Sequence, residues 1–123
     1  MDQDKYQQIQ VLEYQIKQLQ NIIESVDTQL LEINSTIDAL KDFNKLKADD
    51  EILFPIASGI FAKGRLSDNK SLKINIGSNI NVEKNVEDTI LMMMSQAKDI
   101  ESYKEEIEMQ LQKFIDKMDG LKA

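Results

Sequence analysis

Residues 9–40 read IQVLEYQIKQLQNIIESVDTQLLEINSTIDAL. Within this stretch Ile9, Leu12, Ile16, Leu19, Ile23, Val26, Leu30, Ile33, Ile37 and Leu40 follow one another at alternating spacings of three and four, and all ten are aliphatic. The positions between them are mostly Gln, Glu, Asp, Lys and Asn, with neither Gly nor Pro. A stripe recurring about every 3.5 residues keeps one helix against another over many turns. A second stripe occupies the C-terminal flank: Val86, Ile90, Met93, Ala97, Ile100, Lys104, Ile107, Leu111, Phe114, Met118 and Leu121. Ten of these eleven positions are apolar, Lys104 being the exception. Asn85, with Asp88 three residues on, is a suitable N-cap with an acidic first turn.

The stripes agree in length. Residues 9–40 and 90–121 each cover 31 steps, which is about 45 Å of helix. Antiparallel pairing that sets Leu40 near Ile90 also sets Ile9 near Leu121. The expected core of the fold is therefore an intramolecular antiparallel coiled coil, with one helix over 5–48 and the other over 86–121. Lys104 then faces the region of Val26 and Asp27, where it either reaches Asp27 or fixes register as polar seam residues do. Asn44 marks where the tight seam stops.

Between the stripes the period changes to two. Ile52-Leu53-Phe54-Pro55-Ile56-Ala57 is apolar but holds the one Pro, which restricts it to a sheet edge. Ile60, Ala62, Gly64 and Leu66 alternate with Phe61, Lys63 and Arg65; Leu72, Ile74 and Ile76 alternate with Lys73 and Asn75; Ile80 and Val82 alternate with Asn81 and Glu83. Asp68-Asn69-Lys70 and Gly77-Ser78-Asn79 supply turn residues. Four short strands, forming two hairpins over 52–84, are expected. Isolated hairpins are marginal in water, and nothing in this chain covers their apolar side. Assembly through the strands into a shared barrel answers that deficit. Phe54, Ile56, Ile60, Phe61, Leu66, Leu72, Ile74, Ile76, Ile80 and Val82 are the expected contacts. The fold class is α+β, mainly α, in one domain spanning 1–123.

Composition limits the chemistry. The chain has 123 residues, no His, no Cys and no Trp, and carries 22 acidic against 15 basic side chains, a net charge of −7. Without Cys or His there is no thiol nucleophile, no disulfide framework, and neither the usual metal ligand nor the usual general base. An enzyme is disfavoured, and no catalytic, cofactor-binding or metal-binding residue is assigned. Charge is also uneven: residues 1–50 carry −5, residues 51–85 carry +2 and residues 86–123 carry −4. The acidic flanks argue against a nucleic-acid partner. No apolar run suggests a membrane span, and the N-terminal residues lack the apolar stretch of a signal peptide, so a cytoplasmic protein is expected.

Several local patterns carry weaker signals. Gly59-Ile60-Phe61-Ala62-Lys63-Gly64-Arg65-Leu66 approaches a phosphate-binding loop but lacks the Lys and hydroxyl residue after the second Gly, and its alternation favours a strand. Asp49-Asp50-Glu51 and Glu105-Glu106-Glu108 lack the loop of a calcium site and read as a helix end and a solvated face. Lys63, Arg65, Lys70 and Lys73, with Phe61 interleaved, form the basic concentration; they solubilise an exposed sheet face or meet an acidic partner. Met92-Met93-Met94 contributes to packing or offers an adaptable apolar patch. Asn34-Ser35-Thr36 and Asn69-Lys70-Ser71 match the glycosylation pattern and carry little weight without a secretory context. Far from the strands, Tyr6, Val11, Tyr14, Ile22 and Ile115 lie off the stripes. Phe114, Met118 and Leu121 lie on one near its end. Terminal turns open easily, which would make such groups available to another apolar surface.

Helix, two hairpins and helix, with Phe54-Pro55-Ile56-Ala57-Ser58-Gly59-Ile60-Phe61-Ala62-Lys63-Gly64, resembles the α-class subunit of prefoldin. So does Ile74-Asn75-Ile76-Gly77-Ser78-Asn79-Ile80-Asn81-Val82-Glu83-Lys84-Asn85-Val86-Glu87-Asp88 leading into the second helix. The resemblance covers nearly the whole chain, and four strands point to the α class because β-class subunits have one hairpin. It implies an ATP-independent chaperone, a holdase whose subunits join through β-barrels. Coiled-coil tips would hold nonnative client proteins and deliver them to a group II chaperonin. By position the client-binding tips would comprise Tyr6, Ile9, Val11 and Leu12 with Phe114, Ile115, Met118 and Leu121. The implied partners are β-class subunits or copies of this chain, since the family includes an α-like paralogue that self-assembles into a filament. A structural coiled-coil adaptor is the reading from a different class.

Overall fold

The computed structural model describes residues 3–123; Met1 and Asp2, the first positions of the expected domain, lie outside the described residues. The order is helix α1 (Gln3–Phe43), strands β1 (Glu51–Ala57), β2 (Ile60–Arg65), β3 (Leu72–Gly77) and β4 (Ile80–Lys84), and helix α2 (Val86–Lys122). The fold is thus mainly helical, with two hairpins between two long helices. Contacts divide it into two compact units. One holds the described residues up to Asn34 together with Gln96–Ala123; the other is Ser35–Ser95.

The first unit consists of the outer parts of α1 and α2, here called the arms. Leu12, Ile16, Leu19 and Val26 of α1 are buried, as are Ala97 and Ile107 of α2. The remaining stripe residues of this unit, from Ile9 to Leu121, are half-buried. Each buried Leu, Ile or Val removed from water in this way stabilises the pair by about 1.5–3 kcal/mol. At the one polar stripe position, Lys104 Nζ of α2 reaches Asp27 Oδ1 of α1 at 2.6 Å. That contact realises the antiparallel register expected from the matched stripes. Asp27 raises the Lys104 pKa, first through this hydrogen bond and then by charge, against the opposing effect of burial.

In the second unit α1 stops at Phe43, short of the expected residue 48. Lys45 and Leu46 turn back on Asp42 and Phe43 through i→i+3 backbone bonds, the tighter geometry that ends many helices. Asp49 then takes a φ of 71°, a left-handed conformation that short polar residues tolerate. α2 begins as its sequence requires. Asn85 Oδ1 accepts the Asp88 amide at 2.7 Å, and the Asn85 carbonyl accepts both the amide and the hydroxyl of Thr89. Thr89 is buried, and that hydroxyl bond satisfies it.

Among the described residues β1 pairs only with β2 and β3 only with β4, both antiparallel, so every strand keeps a free edge. Pro55 is tolerated in β1 for that reason. Asp49 and Asp50 add a further rung to the first hairpin by exchanging backbone bonds with Leu66. The two hairpins follow one plan. Their registers break at the same place, between Pro55 and Ala57 in β1 and between Asn75 and Gly77 in β3. Ile56 and Ile76 occupy the bulged positions, and Ser58-Gly59 and Ser78-Asn79 make the turns. Each hairpin position in the first thus has its counterpart 20 residues on in the second. The turns differ in backbone: Gly59 alone is left-handed in the first (φ 75°), whereas Ser78 and Asn79 both are in the second (φ 50° and 61°). Asn75 Oδ1 supports the second turn by accepting the Gly77 amide.

Candidate functional site

Apolar side chains are uncovered in both units, Leu31, Tyr103 and Met109 along the arms among them; the arm ends and the hairpins carry the residues of interest. In the arms, α1 turns its stripe toward α2 and presents the next positions to solvent. Tyr6 and Val11 are each 56% exposed, and Tyr14 is more so, while Leu12 beside them is 5% exposed within the seam. Ile9 is half-buried, as are Phe114, Ile115, Met118 and Leu121 of α2. Ile22, also off the stripe, is half-buried. The expected tip set therefore has two strata: Tyr6 and Val11 are free now, whereas Leu12 becomes free only if the seam opens.

Between these helices lies a groove of about 670 Å³. Val11 and Leu12 supply its apolar lining, and Gln7, Gln8 and Gln15 supply carboxamides. Among the described residues Asp4 and Lys117 are its charged members, one of each sign. The glutamines carry no stripe signal, since apolar periodicity does not include them. Their recurrence at i, i+1 and i+8 on one helix is the sequence trace they leave.

In the second unit the hairpins expose most of the residues expected to mediate oligomerisation. Phe54, Ile56, Ile60, Phe61, Ile76 and Ile80 are 47–69% exposed, and Leu66, Leu72, Ile74 and Val82 are half-buried. Cross-strand pairing sorts them by face. Ile52 opposite Gly64 and Phe54 opposite Ala62 share one face of the first hairpin with Ile60. The Phe54 ring lies over Gly64, so close that a side chain there would collide with it. Leu72 opposite Lys84 and Ile74 opposite Val82 form the matching face of the second hairpin with Ile80. On the reverse, the first hairpin carries Leu53, Pro55, Phe61, Lys63 and Arg65; the second carries Lys73, Asn75, Asn81 and Glu83.

Asn69 acts in the link between hairpins. Its Nδ2 donates to the carbonyls of Leu46 (2.6 Å) and Asn44 (3.1 Å), satisfying groups just beyond the end of α1. The sequence showed it only as a turn residue and a glycosylation match. Asn34, of the other match, lies inside α1.

The remaining patterns resolve simply. Gly59 to Leu66 is a turn followed by β2, as its alternation indicated. Asp50 Oδ2 accepts the Lys47 amide at 2.7 Å, so the 49–51 acidic run closes a turn. Glu105, Glu106 and Glu108 are exposed on α2. Met92 and Met93 are half-buried and Met94 is exposed. Among the described residues no group of three acidic side chains is placed to hold a metal ion, and no helix is long and apolar enough to cross a membrane.

Comparison with known proteins agrees with this geometry. The prefoldin subunit family model matches residues 12–123. Prefoldin subunit alpha of Methanococcus vannielii is 27% identical over 111 residues, covering 90% of this chain and 74% of that one. Prefoldin subunit alpha 1 of Methanocaldococcus jannaschii is 33% identical over 107 residues, covering 86% and 74%. The cryo-EM structure of filamentous PFD from the same organism superposes with a TM-score of 0.84 over 94% of this chain and 96% of that one, at 17% identity. By the family match over nearly all its length, and by relatives that share its hairpin-bearing helical fold, this chain belongs to the prefoldin family.

Proposed function

We propose that the chain is a subunit of an ATP-independent holding chaperone. Nonnative proteins bind at the ends of its arms, and its hairpins join it to other subunits. The observation that carries this reading is the distribution of apolar surface. Burial in the arms is confined to one seam, yet Tyr6 and Val11 stand exposed beside a groove near the arm ends. An unfolded client offers the apolar side chains that such a surface covers, and release needs no chemistry when affinity is modest. Handover to a group II chaperonin and a cytoplasmic setting follow from family membership as part of the same proposal. So does the absence of enzymatic activity: prefoldins are a non-enzymatic chaperone family.

The test is truncation. Removing residues 1–12 and 112–123 should abolish suppression of client aggregation while the hairpins still assemble. Undiminished suppression would sink the tip assignment.

Self-assembly is a second reading of the hairpins, favoured by one observation. All four strands end their pairing inside two-stranded sheets, and both sheets expose apolar side chains. A free edge of that kind accepts a β-class subunit or another copy of this chain. Electron microscopy of the chain alone separates these: open-ended filaments support self-assembly, and a discrete species that grows only with a β-class subunit supports the mixed complex.

A further inference from the structure

We propose that the arm groove is a site for the main chain of an extended polypeptide, with the carboxamides of Gln7, Gln8 and Gln15 as its hydrogen-bonding groups. This rests on the client-holding reading and names what part of a client the site recognises.

Three observations support it. First, the groove combines Val11 and Leu12 with three carboxamides. Each carboxamide offers one acceptor oxygen and a donor NH₂, the complement of a peptide C=O and N–H. Second, these three amides are uncommitted. Gln10 Nε2 donates to the Tyr6 hydroxyl and Gln112 Nε2 to the Asp116 carboxylate, but Gln7, Gln8 and Gln15 make no side-chain hydrogen bond among the described residues. Third, among the described residues the groove's charged lining is one anion, Asp4, and one cation, Lys117, in arms that are otherwise acidic. A balanced lining selects neither acidic nor basic segments, which suits a neutral ligand with strong dipoles.

The spacing also fits. Gln8 and Gln15 are two helical turns apart, about 10 Å along α1. An extended chain covers that distance in about three residues. One client side chain can then rest on Val11 while its flanking peptide groups meet the amides. Recognition of this kind tolerates many client sequences, because every residue except proline brings the same donor and acceptor.

The test uses the assembled full-length protein and two fluorescent peptides with identical neutral, apolar-rich side chains. One has ordinary amides; the other has alternate amides replaced by esters, which removes main-chain donors. The wild type should hold the ester peptide about tenfold more weakly. The triple variant Gln7→Leu, Gln8→Leu, Gln15→Leu should lose that preference and bind the amide peptide more weakly than the wild type does. Capture by apolar contact alone predicts the opposite sign, since Leu adds apolar surface. Equal binding of both peptides by the wild type overturns the backbone site while leaving client holding intact. Failure to bind either peptide overturns the client-holding reading and this site with it. The wild-type comparison does not depend on the variant folding.

Discussion

The two hairpins have the same register break, the same two-residue turn length and the same pairing order, yet they differ in what they show to solvent. On one face they agree: Ile52, Phe54 and Ile60 in the first correspond to Leu72, Ile74 and Ile80 in the second. On the reverse face they part. Leu53, Pro55 and Phe61 of the first become Lys73, Asn75 and Asn81 of the second. The second hairpin is thus one-sided, as expected of a strand pair with one face covered and one in water. The first carries apolar groups on both. A shared backbone therefore does not imply a shared role, and burial of one face satisfies only the second hairpin.

The largest effect should come from a charge on the face they share. Ile60→Lys and Ile80→Lys should each weaken assembly by about a hundredfold or more, because an unpaired ammonium resists burial. Sedimentation of the two variants reads this directly. If only one of them dissociates, the shared face is not equivalent in the assembly and the comparison breaks.

Next in size is the position where the hairpins pack differently. Gly64→Val should cost about 1–3 kcal/mol, since the new side chain must displace the Phe54 ring. At the matching position Lys84→Val should change stability by no more than about 0.5 kcal/mol. Urea midpoints of both variants decide the matter, and equal costs would show that Phe54 moves aside freely.

The turns offer a smaller contrast. Gly59→Ala should cost about 1–2 kcal/mol, because a φ of 75° brings Cβ against the following carbonyl. Gly59→Asn should cost less, as Asn79 already adopts a similar φ in the other hairpin. Thermal midpoints that ranked Asn below Ala would contradict the equivalence of the two turns.

The smallest effect lies in the arms, whose seam is complete within one chain and so contrasts with both hairpins. Asp27 raises the Lys104 pKa, so the stability this pair contributes is fully present below the ordinary lysine value near 10.5 and is lost as pH rises through the raised one. The thermal midpoint of the wild type should fall faster than that of Lys104→Met across that alkaline range. Parallel curves would mean the contact at 2.6 Å does not report on stability.

Much of this was legible in the chain because helices and strands are specified by local period. The stripes from Ile9 to Leu40 and from Val86 to Leu121 foretold which helix faces are covered, including Lys104 against Asp27. Asn85 announced its cap through residue type and spacing. The end of α1 was less legible: past Asn44 no residue marks a stop, and the turn of Lys45 and Leu46 back onto Asp42 and Phe43 ends the helix short of residue 48. The Gln7, Gln8 and Gln15 lining left only its i, i+1, i+8 spacing as a trace, because polar residues on a helix surface have no period that marks a groove.

Residue order alone therefore settled the two arms and the four strands, since each depends on neighbours a few positions away. Three matters waited for the folded chain. Asn69 supports carbonyls more than 20 residues upstream. The bulges at Ile56 and Ile76 keep two hairpins in one plan while their reverse faces differ. The groove beside Val11 exists only where a second helix brings Lys117 to the first. All three depend on residues distant in sequence meeting in space, and no local period encodes such a meeting.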